Sequence, residues 1–284
     1  MSRPSPPARA SGHEVSELRA LAERVPELAE AVSLQVELVT AERRIRSRLA
    51  TPWIDAPDAD LKARLAAGRP LVRFEDLAFD WPECRLLFRQ VTDILRRHDA
   101  VDAADVDRLH EIGRDPRLPD VARQWFLRAP GIPAAEHPAA DAAAPEMLDD
   151  VLGWALKPVL TRAADVLQQR LSLADWGAAT CPVCGGAPEF GYITAAAGRL
   201  LACGRCHARW PFDQMACPFC PNRDRTRLTT FATQDGWYRV AACQVCERYL
   251  KMLDGRHATR PLLMPVDTIA TLPLDAAAMQ KGFR

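Results

Sequence analysis

The 284-residue chain has little that would suit it to a membrane or to a highly charged partner. It has no stretch near the ~20 apolar residues that a membrane-spanning helix needs. Its formal net charge is zero, so no overall field steers it toward nucleic acid or an anionic membrane. Residues 1–14 contain no apolar segment, and we expect them to be disordered rather than a secretory signal. We therefore expect a cytoplasmic protein without membrane insertion.

The sequence also lacks the usual short signatures of catalysis. It contains no Gly-rich phosphate loop, no nucleophile elbow and no zincin motif. His98, His110 and His137 have no neighbours in sequence that indicate a catalytic triad. We therefore predict a protein that is not an enzyme, with no catalytic residue and no organic cofactor.

Helical periodicity dominates the chain over residues 15–175. Leu and Val recur at spacings of three and four, the pattern of amphipathic helices. Pro26 is expected to divide the first long stretch into two helices, and Pro82 suits the first turn of another. Gly68 is expected to end a short helix. The Pro- and Ala-rich stretch 129–146 indicates a linker or irregular loop.

After Trp176 the pattern changes to short alternating runs separated by turn residues. Residues 188–202 are typical of strand, turn and strand, and we expect Gly198 to supply a positive backbone angle at the turn. Residues 227–242 repeat the pattern. Their Asp235-Gly236 pair is among the strongest sequence signals for a hairpin turn. The carboxyl-terminal half therefore contains two β-hairpins, each flanked by Cys-x-x-Cys pairs.

Eight of the nine cysteines belong to these pairs. They are Cys181 and Cys184, Cys203 and Cys206, Cys217 and Cys220, and Cys243 and Cys246. A hairpin brings the pairs at its two ends together, which groups the first pair with the second and the third with the fourth. The resulting C-x₂-C-x₁₈-C-x₂-C and C-x₂-C-x₂₂-C-x₂-C patterns are typical of tetrahedral metal sites.

Two metal ions are therefore predicted, each held by four cysteines. The two-residue gap lets both sulfurs of a pair face one ion while amide N–H groups of the turn stabilise the thiolates. Sulfur ligands accept both iron, as in rubredoxin, and zinc. A closed four-sulfur site favours a structural role, and redox chemistry at iron or at free dithiols is the alternative.

Some other residues invite a functional interpretation but are given a structural one. His207 follows Cys206, but four cysteines already complete the site, so we place His207 near the ion rather than on it. Cys84 lies near the start of an amphipathic helix, where a buried, inert thiol is expected. Trp210 and Trp237 are expected to pack within the small modules.

Zinc-ribbon modules often bind nucleic acid, which makes the basic residues of 176–261 relevant. This segment has eleven Lys or Arg against six Asp or Glu, and the densest basic cluster is at 222–227. Four thiolates on Zn²⁺ carry a net charge of −2, so nearby Arg side chains can simply offset the metal centres. We therefore expect no nucleic-acid partner.

Several blocks occur in a specific order along most of the chain. They are RPLVRFEDLAFDW, VTDIL, ALKPVL, CPVCGGAP, RLLACGRCHARW, CPFCPN, CQVCERYLK and VDTIATLPLDAAAMQKGF. In type and order they resemble the formate dehydrogenase accessory proteins, the FdhE family. The resemblance implies a cytoplasmic factor that binds the catalytic subunit of a respiratory formate dehydrogenase, a subunit that carries a molybdenum cofactor and is later exported. It also implies rubredoxin-like modules, an association with iron, and a role for the Cys-x-x-Cys pairs, which falls on the eight cysteines named above.

The predicted architecture is α+β, with an all-α helical amino-terminal domain followed by two rubredoxin-like or zinc-ribbon metal modules. We predict a disordered start at 1–14, a helical domain at 15–175, modules at 176–212 and 213–260, and a tail at 261–284. The tail is expected to pack back on the core as an extended segment and a short helix. The expected function is chaperone-like maturation of formate dehydrogenase. The alternatives are an electron carrier that reduces a client enzyme and, third, a nucleic-acid-binding protein.

Overall fold

The computed structural model of the chain describes residues 13–50, 54–132 and 147–284. The predicted disordered start and the Pro- and Ala-rich linker, with His137, lie wholly or largely outside these ranges. The described helices are α1 (His13–Arg24), α2 (Ala29–Arg46), α3 (Asp58–Ala66), α4 (Trp81–Arg97), α5 (Ala103–Arg114), α6 (Leu118–Leu127), α7 (Leu148–Arg170), α8 (Met264–Ala270) and α9 (Leu272–Gln280). In these ranges no helix combines the length and the apolar character that crossing a bilayer requires.

The helix boundaries follow local sequence signals. A single 3₁₀ turn at Pro26–Leu28 separates α1 from α2, as predicted, because proline cannot donate a helical hydrogen bond. Gly68 adopts a positive φ of 68° just beyond α3, as predicted for a residue that ends a helix. Asp80 caps α4 by accepting a hydrogen bond from the Glu83 amide at 3.2 Å. Pro82 lies in the first turn of α4, as predicted.

The strands form one six-stranded sheet rather than two separate hairpins. They are β1 (Pro188–Ile193), β2 (Arg199–Cys203), β3 (Arg209–Pro211), β4 (Leu228–Ala232), β5 (Tyr238–Cys243) and β6 (Tyr249–Asp254), and their order is β3-β2-β1-β6-β5-β4. Both predicted hairpins are present, as β1–β2 and β4–β5. The parallel pairing of β1 with β6, in which Gly191 lies opposite Met252, joins them.

The two hairpin turns differ in where they place the left-handed residue. Gly236 has the expected positive φ of 74°. The expectation for Gly198 was wrong, since the positive angle belongs to Ala197, with a φ of 60°. The Thr194 hydroxyl accepts the Gly198 amide hydrogen at 2.9 Å and the Thr194 carbonyl accepts that of Ala197 at 2.8 Å. These bonds hold an alanine in a conformation that normally favours glycine.

Helix α4 is central to the helical half and contacts α2, α5 and α7. Its Leu87, Phe88 and Val91 have no exposed surface. Each such side chain contributes roughly 1.5–3 kcal/mol of burial energy. The same apolar cluster includes Cys184, in the turn of the first cysteine pair, and Trp210 of β3. The bundle core thus extends directly to the first group of cysteines.

The carboxyl-terminal segment folds as two helices, α8 and α9, rather than one short helix. Helix α8 packs against α1 and α2, and α9 contacts β5. Asp267 of α8 has no exposed surface and accepts hydrogen bonds from the Tyr238 hydroxyl at 2.6 Å and Arg260 Nη2 at 2.8 Å. It also accepts the Leu263 amide hydrogen at 2.6 Å, which caps α8. A buried carboxylate therefore fastens α8 to the sheet.

Candidate metal centres

The structure gathers the eight paired cysteines into two groups, in the pairing that the hairpins predict. The first centre comprises Cys181, Cys184, Cys203 and Cys206, and their sulfurs all lie within 4.8 Å of one another. The Sγ atoms of Cys181 and Cys206 are 3.5 Å apart, as are those of Cys184 and Cys203.

The second centre comprises Cys217, Cys220, Cys243 and Cys246, again with all sulfurs within 4.8 Å of one another. The Sγ atoms of Cys217 and Cys246 are 3.7 Å apart, as are those of Cys220 and Cys243. Elsewhere in the described ranges, no three His, Cys, Asp or Glu side chains lie close enough together to hold an ion.

These separations fit metal coordination and not disulfide bonding. A tetrahedral ion with metal–sulfur bonds of about 2.3 Å sets its sulfurs about 3.8 Å apart, whereas a disulfide bond is about 2.05 Å long. All eight cysteines are free thiols in the structure. Each centre could therefore hold one ion, and four thiolates suit iron as well as zinc.

Backbone amides point at the sulfurs, as the Cys-x-x-Cys spacing predicts. The amide of Val183 donates to Cys181 Sγ at 3.4 Å, and that of Arg205 donates to Cys203 Sγ at 3.4 Å. The second centre repeats the contact, with the Phe219 amide 3.4 Å from Cys217 Sγ. Such donors stabilise thiolate charge whether or not an ion is bound.

His207 forms a tight backbone turn at the first centre, and Glu247 forms the same turn at the second. His207 and Glu247 each follow the last cysteine of a centre, and their φ angles are 58° and 59°. The His207 amide donates to the Cys203 carbonyl at 3.1 Å, and the Glu247 amide to the Cys243 carbonyl at 2.8 Å. The first centre consists of the sulfurs of Cys181, Cys184, Cys203 and Cys206. Burial lowers the pKa of His207 to about 3, so its ring stays neutral.

Backbone hydrogen bonds from the helical half, the part of the chain before the sheet, hold the first centre in place; we call these bonds the clamp. The Leu71 amide donates to the Pro182 carbonyl at 2.8 Å, and the Val72 amide donates to the Val183 carbonyl at 3.0 Å. The Gly131 amide donates to the Gly185 carbonyl at 2.7 Å. The loop between the first two cysteines is thus held on two sides, and all four cysteines of this centre are buried.

Arg205 adds a cation beside the first centre. Its guanidinium stacks on the Trp125 ring, with Cζ 3.9 Å from the ring centroid. Its Nη1 donates to the Phe126 carbonyl at 3.1 Å and its Nη2 to the Trp125 carbonyl at 3.0 Å. The positive charge is fixed in place and helps to offset the thiolates of Cys184 and Cys203.

The second centre is closer to solvent. Cys220 and Cys246 are only half-buried, and Val245, between the last two cysteines, is 55% exposed. Burial opposes ionisation of Cys243, but hydrogen bonds from the Cys246 and Val245 amides and from the neighbouring thiols together lower the Cys243 pKa to about 7. The two centres therefore share one ligand set but differ in access.

The remaining sequence candidates take the structural roles that were expected. Cys84 is 3% exposed, and burial raises its pKa to about 12, which favours the protonated thiol. Trp210 is fully buried and donates through Nε1 to the Ala178 carbonyl at 3.1 Å. Trp237 packs against an apolar cluster beside the sheet. His98 Nε2 lies 3.0 Å from a carboxylate oxygen of Glu37.

Sequence reasoning missed a cavity of about 580 Å³ beside the first centre. Its lining includes Glu14 from α1, Glu42 from α2, Asp150 from α7 and Glu189 from β1. These residues are far apart in the sequence and form no motif. Only the packing of the helical half on the sheet brings them together.

Comparison with known proteins gives three similar curated relatives, each named protein FdhE homolog. They are from Shewanella oneidensis (33% identity over 107 residues, 36% of this chain and 35% of the relative), Shewanella sp. strain MR-4 (31% over 137 residues, 46% and 41%) and Haemophilus ducreyi (32% over 108 residues, 37% and 35%). The chain spans between about a third and two fifths of the length of these relatives. No family model matches the chain.

The fold agrees with a solved structure over nearly all its length. The crystal structure of the FdhE protein from Pseudomonas aeruginosa matches 98% of this chain and 94% of that one, with a TM-score of 0.62 and 21% identity. This likeness shows a shared fold, and the curated relatives share the FdhE name. The FdhE resemblance in the sequence blocks is thereby confirmed, and so is the α+β class, with a helical region followed by a sheet that carries two four-cysteine groups.

Proposed function

We propose that this protein is a cytoplasmic accessory factor in the making of active formate dehydrogenase. It binds the immature catalytic subunit of that enzyme, assists its maturation and performs no catalysis of its own. The likeness to proteins named FdhE homolog, at 31–33% identity, is the observation that carries the proposal.

The architecture supports a scaffold with two bound ions, one at each four-cysteine centre. The first centre is buried and held by backbone hydrogen bonds from the helical half, so an ion bound there would fix the position of the bundle on the sheet. Metal binding at such a site contributes directly to folding free energy. The second centre presents Val245 and two half-buried cysteines to the outside, which suits contact with a client.

Co-purification tests the proposal. A tagged form, expressed in its own host and purified anaerobically, is expected to retain the formate dehydrogenase catalytic subunit. Cys243→Ser removes a ligand at the exposed centre and is expected to reduce the recovered subunit at least about fivefold, whereas Cys84→Ser, at the buried thiol, retains it. Wild-type protein that never recovers the subunit contradicts the proposal.

Electron transfer to a client is a second candidate, and the exposure of the second centre favours it. An iron ion held there lies near the surface, where a redox partner can approach. This candidate requires visible absorption that bleaches reversibly with dithionite. Colourless protein that contains only zinc after anaerobic purification from its own host excludes it.

A further inference from the structure

The cavity beside the first centre, named here the acidic cavity, has a surplus of negative charge. Five carboxylate side chains and three cationic side chains line it: Glu14, Glu42, Asp149, Asp150 and Glu189 against Arg46, Lys157 and Arg205. The lining therefore carries a formal charge of −2 (three positive, five negative).

Glu42 is the most unusual member of this lining. Its side chain projects from α2, it is 7% exposed, and it borders the cavity. Among the described residues it accepts no hydrogen bond and forms no ion pair. A carboxylate with so little exposure is costly to keep charged, and a cation that enters the cavity would lower this cost. Glu42 therefore indicates a positively charged ligand.

The cations of the lining act on these carboxylates only through space, since the charges of Arg46 and Lys157 reach Glu42 without a hydrogen bond or close ion pair to it. Lys157 Nζ lies 4.1 Å from the centroid of the Trp154 ring. Arg46 Nη2 pairs with Asp165 at 2.6 Å. Arg205 donates to two backbone carbonyls.

The carboxylates are in turn largely unpaired. Asp149 pairs with Arg128 at 2.7 Å. Glu14, Asp150 and Glu189, like Glu42, form no ion pair or hydrogen bond within the described ranges. In the described part of the chain, four carboxylates of the cavity therefore share the nearby charge of Lys157, and none of them has a hydrogen-bonded or ion-paired cation.

The spacing of these carboxylates excludes a simple divalent-cation site. Within the described ranges, no three of them come close enough together to hold an ion. Their separation, in a cavity of about 580 Å³, suits an extended ligand with several positive charges instead. The walls also include Trp154, Met264 and Pro265, which offer apolar contact to the methylene groups of long cationic side chains.

We propose that the acidic cavity binds a segment of a partner protein that carries at least two Lys or Arg side chains. The segment would also touch the first metal centre, because Glu189 lies against the Cys-x-x-Cys turn. A Cβ atom added to Gly204 of that turn would lie 2.8 Å from Glu189 Oε2. The inference rests on the charges of the cavity and does not require the partner to be a formate dehydrogenase.

Calorimetric titration of the metal-loaded full chain with tri-arginine amide tests the proposal. Wild-type protein is expected to bind the peptide saturably, and the affinity falls as salt rises because the contact is ionic. Glu42→Gln keeps the shape of the side chain and removes its charge, and it is expected to raise Kd at least about tenfold. Glu30→Gln, at an exposed position on the same helix α2, is the matched control and leaves Kd unchanged.

Glu189→Gln provides a second variant on a different element, β1, and is also expected to weaken binding. Spermidine, a cation without a peptide backbone, is expected to bind more weakly than the peptide. Absence of saturable peptide binding to wild-type protein, an unchanged Kd in both variants, or tighter binding of spermidine would overturn the proposal. If wild-type protein binds the peptide but does not recover the catalytic subunit from its host, the proposed function fails and the proposal for the acidic cavity does not.

Discussion

Gly131 and Gly185 meet where the helical half approaches the first metal centre most closely. A Cβ atom at Gly131 would lie 2.8 Å from both the Cα and the carbonyl oxygen of Gly185. Real side chains do not approach backbone this closely, so an alanine would force the two segments apart. The amide hydrogen bond from Gly131 to Gly185 would lengthen as a result.

We therefore expect Gly131→Ala to lower the free energy of unfolding by about 1–3 kcal/mol, the usual cost of overpacking. Gly153→Ala is the control. Its new methyl group would meet its nearest neighbour, in Trp125, at 3.8 Å, and it lies within α7, where alanine is the better helix former by about 1 kcal/mol. Urea unfolding of both variants measures the difference. Equal stability of Gly131→Ala and the wild type would contradict the close approach.

Glu42 allows a prediction about pH. Burial raises its pKa above the ordinary value, and Glu14 nearby has its pKa raised by burial and by Glu42 itself. A carboxyl group whose pKa is higher in the folded state favours folding when protonated, and this contribution is lost as pH rises through the folded pKa. At neutral pH the charged Glu42 is therefore destabilising.

Glu42→Gln is accordingly expected to raise the free energy of unfolding by about 1 kcal/mol at pH 7, the scale of an unsatisfied buried polar group. The gain shrinks below pH 4.5, where the wild-type side chain is also neutral. Urea unfolding at pH 7 and pH 4 checks this. A variant that is less stable than the wild type at pH 7 would show that Glu42 has a stabilising partner.

At the scale of elements, a buried carboxylate links α8 to the sheet. Asp267 accepts hydrogen bonds from Tyr238, Arg260 and the backbone, and it joins α8 to β5. In the described part of the chain, Asp267→Asn leaves the partly buried Arg260 with only its longer pair to Glu17, at 3.5 Å, and we expect a loss of about 3 kcal/mol. The exposed pair of Asp165 with Arg46 is the control, because Asp165→Asn should cost at most about 1 kcal/mol.

Hydrogen exchange checks the location of this effect. In Asp267→Asn, the amides of α8 are expected to exchange faster than those of α4, because α8 loses its link to the sheet first. Uniformly faster exchange in both helices would contradict a local role for Asp267.

Sequence periodicity predicted the helices up to α7 and both hairpins, because these depend on residues close in the chain. It did not predict β3 or β6. Strand β3 has only three residues, and β6 is held in the sheet by its partners β1 and β5. The parallel pairing of β1 with β6 links residues about 60 positions apart and leaves no local signal.

For the candidate site, as for the fold, the sequence predicted the features that depend on residues close in the chain. Spacing identified all eight cysteines and their grouping, because hairpin geometry brings the pairs together. The clamp from Leu71 and Val72 on the first centre joins segments more than 100 residues apart and could not be read from the pattern. For the same reason, the sequence presented two equivalent centres where the structure shows a buried one and an exposed one.

For the whole molecule, the central claim is that the chain is a scaffold with two metal centres of unequal access. A chelator is expected to remove the ion of the second centre first, because Cys220 and Cys246 are half-buried there, and to reach the first centre only when the clamp opens. Release should therefore occur in two phases, with the slow phase following the unfolding rate. A single phase for both ions would contradict the difference in access.

The most direct test is elemental analysis of anaerobically purified protein, combined with alkylation of its thiols under native conditions. The account predicts two transition-metal atoms per chain, with the eight paired cysteines protected until the metal is removed. Fewer than one metal atom per chain, with all eight of these thiols alkylated at once, would contradict it.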